Sequence, residues 1–325
     1  MNKSVVVTGG AGYVGSHACK ALAQAGMTPI VYDNLVRGNR WAVKWGPFEE
    51  GDIQDGDRLK GVFQKYKPVA IMHFAAYAYV GESIHEPAMY YNNNLTGSLS
   101  LVNAALASGI DKIIFSSTCA TYGLPHHQFI NEAHPQEPIN PYGASKLMVE
   151  RVLRDYGEAY GLSYAILRYF NAAGADPDGE IGESHDPETH LIPLALQAAM
   201  GESGALKIFG SDYDTPDGTC VRDYIHVHDL ASAHVKALER LLSAKKNIIV
   251  NLGVGHGSSV LDIVKAIENV TGLCMQTEVV ERRVGDPSVL IASADLAQRI
   301  LGWKPKYTDI RETIQTAYEW ERKIT

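Results

Sequence analysis

Cysteine is scarce and scattered: Cys19, Cys119, Cys220 and Cys274 are the four in 325 residues, and no two form a C-x-x-C pair. That spacing argues against a disulfide framework and a cysteine-based zinc site, and it points to a reducing, cytoplasmic setting. No apolar run approaches the roughly 20 residues that a membrane span needs. The stretch from Met1 to Thr8 passes straight into a strand-like run without a signal-peptide cleavage site, so export is not expected. Lys/Arg-rich runs are missing too, and the formal charge is −8, which argues against non-specific binding to nucleic acid or to an anionic membrane. An anionic ligand must then be met by individually placed cations or by backbone N–H groups. Linkers, low-complexity tracts and internal repeats are also absent, so two parts of such a chain should pack tightly and share the cleft between them.

What is present is an ordinary globular composition, 46% hydrophobic and 20% charged, in a chain long enough for one large domain with an appended lobe. Short β-branched runs at 4–8, 29–33, 69–74, 112–117 and 163–167 read as strands. Between them, Val14, Ala18, Leu22 and Ala25 fall at helical spacing before Gly26, and 87–108 and 141–160 are long enough to cross over a sheet. Such βαβ repetition predicts an α/β fold, a Rossmann-type doubly wound parallel sheet. After about Asn171 the pattern turns to loops rich in Gly, Pro and Asp, with helices expected at 190–200, 260–271 and 309–322 and a strand at 248–252. The expected division is 1–170 for a cofactor domain and 171–325 for a smaller C-terminal α/β substrate lobe, with a boundary that the chain can cross.

Thr8 is followed by Gly9, Gly12 and Gly15 in a G-x-x-G-x-x-G run that also contains Tyr13 and Val14, between a strand and a helix. Glycines there permit a tight turn and let a helix N-terminus meet a pyrophosphate without a side chain in the way. Asp33 ends the second strand, where its carboxylate can accept from both hydroxyls of a ribose and would repel a 2′-phosphate, which favours NAD over NADP. Asn34 follows it. Asp52-Ile53, at the end of the next strand, can contact an adenine or simply turn the chain, and the chemistry leaves both open.

Tyr142 and Lys146 lie four apart at the start of a helix and share a face. A free phenol is a poor base near neutrality, but an ammonium and an oxidised nicotinamide both favour its phenolate, which can then take a hydroxyl proton while the carbon gives up hydride. Such a pair is common on exposed helices; what sets this one apart is Phe115-Ser116-Ser117-Thr118 at the C-terminal end of an expected strand, the edge where open α/β sheets bind ligands. The Thr118 hydroxyl can serve the same substrate oxygen as Tyr142.

Gly9 to His17, Tyr32 to Leu35, Gly81-Glu82-Ser83, Asn140 to Lys146, Arg168 to Asn171, Val221 to Val227 and Arg282 to Asp286 together resemble the UDP-glucose 4-epimerase family of extended short-chain dehydrogenases/reductases, over essentially the whole chain. The resemblance implies a C4 epimerisation of a UDP-sugar through a 4-keto intermediate, with NAD held permanently. It implies Tyr142 as base, Thr118 as its partner, and Lys146 bridging Tyr142 and the nicotinamide ribose. Phe74, Ala75, Ala76, Asn93, Ser116 and Tyr169 would line the cofactor site, and Asn171, His190, Leu191, Phe209, Arg222, Tyr224, Arg283, Asp286 and Leu290 the UDP-sugar site. Arginines suit the diphosphate because planar donors pair its oxygens. A homodimer through a four-helix bundle of 87–108 and 141–160 is implied as well.

Three departures stand out. Ala78 replaces a lysine that many members place near the nicotinamide ribose, so NAD is expected to be held more loosely. Thr118 replaces the more usual serine, and His190 an asparagine near the phosphates. Sugar dehydratases of the same scaffold carry Asp-Glu directly after the active-site Thr, where this chain has Cys119-Ala120, so the keto sugar has no evident exit except re-reduction. The alternatives are a UDP-xylose/UDP-arabinose or dual hexose/pentose epimerase, and a non-catalytic NAD sensor. His226-x-His228 on a strand would put two imidazoles on one face, but no third ligand is evident and no metal is expected.

Overall fold

A computed structural model describes residues 3–244, 246–283 and 285–324. The apolar runs of the first half become strands because both faces of their sheet are covered. Val5 and Val7 face one core with Val31, Met72, Ile114 and Leu167, packed under the helices Tyr13–Gln24 and Val227–Ala244. Val6 faces the other with Ile30, Ile71, Ile113 and Ile166, under Gly56–Tyr66, Gly97–Ala107 and Pro141–Tyr160. The alternation is the period of two that a pleated strand imposes.

The resulting seven-stranded parallel sheet runs in the order Ile248–Leu252, Ser163–Tyr169, Lys112–Thr118, Ala70–His73, Ser4–Thr8, Thr28–Asp33, Phe48–Glu50. Chain order reverses beside Ser4–Thr8, so the crevice of a doubly wound sheet opens at the C-terminal ends of that strand and of Ala70–His73.

The structure departs from the sequence expectations at four places. The strand Ile248–Leu252, expected in the smaller lobe, is the seventh strand of the large sheet, laid parallel to Ser163–Tyr169. Conversely, Phe129–Ile130 leaves the first half to pair with Val289–Ala292 in a four-stranded sheet of the smaller lobe. The lobes are therefore interleaved along the chain. The expected helix 87–108 is interrupted by a π-helical segment, Tyr91–Thr96, whose extra residue per turn aims Asn94 at Tyr77, accepting from its backbone N–H at 2.9 Å and donating to its carbonyl at 3.0 Å. Finally, His226 ends a short strand, but His228 lies in the next helix and donates its own N–H to His226 Nδ1 at 3.0 Å. The two imidazoles do not share a strand face, and His226 Nε2 pairs with Thr316 Oγ1.

A third core, Ile192, Leu196, Leu206, Ile263, Ile267 and Ile314 among others, holds the smaller lobe around three helices. A buried polar network ties the helix Pro141–Tyr160 to the large sheet beneath it. Arg168 donates Nε to Glu150 Oε1 at 2.9 Å and Nη2 to Glu150 Oε2 at 2.6 Å, and Nη1 to Tyr122 Oη at 2.9 Å. Ser117 Oγ donates to Glu150 Oε1 at 2.6 Å, and Tyr122 in turn to Asn251 Oδ1 at 2.6 Å. Arg168, Glu150, Ser117 and Tyr122 are each paired, which is the condition for a buried network to stabilise.

Candidate active site

One cleft of about 1400 Å³ runs between the sheet's C-terminal edge and the smaller lobe. That exceeds the ~300–1,000 Å³ typical of a single small-ligand site and gives room for two ligands in contact.

At one end, Gly9 turns the chain with φ +71° and donates its N–H to the Tyr32 carbonyl. A Cβ on Gly9 would stand 2.5 Å from the Ala75 amide nitrogen, so only glycine lets the turn approach the neighbouring strand end. Gly15 likewise faces the Gly9 carbonyl. The helix that follows starts at Tyr13 with Gly12 as its cap and no capping side chain, which leaves first-turn N–H groups aimed into the cleft. Asp33 is buried, and its two oxygens accept from Ala11 N at 3.0 Å and Leu35 N at 2.9 Å, each retaining a lone pair. Val14, Asn34, Ile53, Phe74, Ala75, Ala76 and Asn93 complete this end. Asp52 does not line it: its carboxylate accepts from Asn34 Nδ2 at 2.9 Å and acts on the cleft through that side chain.

In the middle, Asn140 caps the helix Pro141–Tyr160 by accepting from Gly143 N at 2.8 Å, with Pro141 at its first position. A Cβ on Gly143 would run into the Ala120 carbonyl, so glycine allows the helix start to press against the segment after Thr118. Tyr142 and Thr118 are thereby brought to one wall of the cleft. Thr118 Oγ1 already accepts from Ala120 N at 3.1 Å, leaving its hydrogen free to donate. Burial pushes the Tyr142 phenol well up from its ordinary value, and the Thr118 hydroxyl pulls it back. Lys146, one turn further on, lies beneath the wall and donates to the Ser116 carbonyl at 2.9 Å; burial pushes its ammonium down to about 7 against the pull of Glu150. Ser116 is also behind the wall, its hydroxyl 2.8 Å from that of Tyr169, which does reach the cleft.

At the far end stand Asn171, His190, Leu191, Phe209, Arg222, Tyr224, Arg283, Asp286 and Leu290. The Arg283 guanidinium lies 3.9 Å from the centre of the Phe209 ring, and Arg222 pairs with Asp286. Val284 of this motif lies outside the described residues. Sequence reasoning missed the cleft's side wall: Glu183, His185 and Glu188 beside His190, and Arg37 bound to Glu82 at 2.6 Å. The Glu183-x-His185-x-x-Glu188-x-His190 spacing was the available signal.

Among known proteins, the chain matches the NAD dependent epimerase/dehydratase family over residues 5–253. It is 52% identical over 322 residues to a UDP-glucose 4-epimerase of Rhizobium meliloti (strain 1021), covering 99% of this chain and 98% of that protein. A crystal structure of UDP-glucose 4-epimerase from Brucella ovis in complex with NAD superposes with a TM-score of 0.95 at 53% identity, covering 97% of each chain. A UDP-glucose-4-epimerase from Stenotrophomonas maltophila with bound NAD and formylated UDP-arabinopyranose gives a TM-score of 0.96 at 39% identity, over 99% of each.

Proposed function

The chain belongs to the NAD dependent epimerase/dehydratase family, and from that premise we propose that it is an isomerase that inverts C4 of a UDP-sugar, interconverting UDP-glucose and UDP-galactose with NAD as its resident cofactor. The observation that carries the reading is the meeting of Thr118 and Tyr142 on one wall, between a dinucleotide cradle and an arginine-bearing end.

The residues present fit NAD. The cradle of Gly9, Gly12 and Gly15 would be filled by any Cβ, the helix start offers uncapped N–H groups, and Asp33 offers carboxylate lone pairs to ribose hydroxyls. When bound, NAD supplies the hydride acceptor and donor for C4, so the cycle ends with no net redox change. Tyr142 takes the C4 hydroxyl proton and later returns it, and Thr118 donates to the same oxygen and orients it. Burial opposes a lone phenolate and a lone ammonium alike, so Lys146, on the same helix face, stabilises the phenolate by carrying its countercharge. Arg222 and Arg283 hold the diphosphate. His190 has Nδ1 committed to Glu188 at 2.7 Å and presents the other face of its ring to the cleft. Cys119-Ala120 provides no carboxyl pair for elimination from the keto sugar, and burial holds the Cys119 thiol protonated, which leaves re-reduction from the opposite face.

The relatives named UDP-glucose 4-epimerase favour a hexose over a pentose as the main substrate. The part up to residue 170 would hold the cofactor and the part after it the UDP-sugar, apart from the strands that cross over. None of the described helices is long and apolar enough to span a membrane, and the four free cysteines suit a reducing cytoplasm. A homodimer would use the outer faces of 87–107 and 141–160, where Met148 and Tyr160 are exposed.

Leu290 sets the tolerance at C2 of the sugar. It sits on Val289–Ala292 beside Phe170 and Cys119, with its side chain on the cleft wall. A partial fit costing about 1–3 kcal/mol makes kcat/KM for the N-acetylated pair roughly 10- to 200-fold lower than for the hexoses. Leu290→Tyr is expected to widen that ratio further; a panel over both sugar classes in which the ratio stays the same removes Leu290 from this role.

A further inference from the structure

The eight residues from Glu183 to His190 fold four ligand-type side chains onto one point of the cleft wall. Glu183, His185, Glu188 and His190 each bring one donor atom, and all four atoms lie within 4.8 Å of one another. His190 Nδ1 is 2.9 Å from Glu183 Oε1; His185 Nδ1 is 3.1 Å from that same oxygen and 3.4 Å from Glu188 Oε2. A tetrahedral ion with ligands at 2.0–2.2 Å needs donor-to-donor edges of roughly 3.3–3.6 Å. The pairs at 2.7–3.4 Å fall at or inside those edges and none of the four atoms is more than 4.8 Å from another, so side-chain adjustments of up to roughly 1 Å turn this arrangement into a filled coordination shell.

An ion-pair cluster alone leaves one atom unexplained. His185 Nδ1 is fully buried and makes no hydrogen bond, although Glu183 Oε1 is only 3.1 Å away, so its N–H direction does not run to that oxygen. A nitrogen that lies among two carboxylates without bonding either is placed as a ligand would be. Glu188 is held firmly at the same point. Its Oε1 accepts from Thr189 N at 2.7 Å and His190 N at 2.8 Å and meets His190 Nδ1 at 2.7 Å, a contact that an ion would replace, while Oε2 lies 3.4 Å from His185 Nδ1. The loop is tied down from outside by Trp320 Nε1 to the Glu183 carbonyl at 2.8 Å, Asn39 Nδ2 to the Ser184 carbonyl at 3.0 Å and Arg37 Nη1 to the Asp186 carbonyl at 3.1 Å. Such a site is preorganised before any ion arrives.

Among the described residues a second carboxylate cluster is filled differently. Asp176, Asp178 and Glu180 surround the Lys20 ammonium at 2.6–2.8 Å and already hold their cation. In the Glu183 cluster two imidazoles close the ring instead, and two buried carboxylates match the charge of a divalent ion.

We infer that Glu183, His185, Glu188 and His190 form a closed, four-coordinate site for a borderline divalent transition ion of the zinc type, which clasps the 183–190 loop to the start of the helix Leu191–Met200 at the edge of the substrate cleft. The donor set of two nitrogens and two oxygens suits Zn²⁺ or Co²⁺, and it does not suit Mg²⁺ or Ca²⁺, which call for six or more oxygens. All four positions are protein ligands, so the ion is structural and leaves no open position for chemistry.

The test uses the NAD-loaded, chelator-treated protein titrated with Co²⁺ and, separately, Zn²⁺. The expected result is one ion per chain, a Co²⁺ d–d absorption of four-coordinate intensity, and a rise in melting temperature on binding. His185→Asn and Glu188→Gln, checked for folding by circular dichroism, are each expected to weaken binding by at least about 10- to 100-fold. A melting temperature indifferent to Zn²⁺, no four-coordinate Co²⁺ band at millimolar ion, or equal affinity in wild type and both variants would overturn the inference. The readouts do not involve turnover, so the inference and the proposed reaction fail separately.

Discussion

Tyr142→Phe is expected to lower kcat by about 10²- to 10⁴-fold, the range for loss of a positioned acid–base group. Only a hydroxyl is removed, the ring keeps its edge-on packing against Tyr90, and the backbone carbonyl still accepts from Ser145 Oγ at 2.8 Å. The helix start is therefore undisturbed, and NAD content and UDP affinity should stay near those of the wild type. A loss confined to kcat marks an interaction made in the transition state. Steady-state kinetics beside a measurement of bound nicotinamide distinguishes this from a folding defect; turnover within about threefold of wild type removes Tyr142 from the role of base.

Arg168→Met should give the largest loss of stability. The Arg168 and Glu150 side chains are 1% and 0% exposed, so removing the guanidinium leaves a carboxylate with no water and without its two bonds from Arg168, with Ser117, Gln136 and the longer contact to Arg154 remaining. Breaking such a buried pair costs about 3–5 kcal/mol. Glu150→Gln together with Arg168→Met removes both charges and is expected to recover part of that loss, since an apolar replacement of a buried pair is often near neutral. Urea unfolding of the two variants checks this. Equal stability of Arg168→Met and wild type would show that the network does not hold the helix Pro141–Tyr160 to the sheet.

The large sheet was legible because its strands are buried on both faces and read as unbroken β-branched runs; the extents of Ser4–Thr8 and Ile248–Leu252 agree with the structure to the residue. Where Ile248–Leu252 belongs was not legible, because strand order is decided by packing between distant segments, and nothing local in Ile-Ile-Val-Asn-Leu distinguishes one sheet from another. Val227–Ala244 was overlooked for a different reason: it follows Tyr224–His226 without an intervening turn, so no break in the pattern announced it. Tyr91–Thr96 was read as ordinary helix because the π-helical turn goes with a contact between the Asn94 side chain and the Tyr77 backbone, which periodicity does not reveal. Within the site, Gly9, Asp33, Thr118 and Tyr142 were legible from type and spacing, since turn geometry and acid–base chemistry restrict which residues can stand there. Ser116 and Lys146 were assigned to the cofactor by resemblance, and the structure sets both behind the wall.

UDP-glucose carrying deuterium at C4 is incubated with purified protein and added NAD, without reductant, and the products are followed by NMR. The account predicts a mixture of UDP-glucose and UDP-galactose in which the deuterium remains at C4, because hydride leaves and returns without exchange with water. Loss of the label to solvent, accumulation of a keto or deoxy sugar, or no UDP-galactose at all would contradict it.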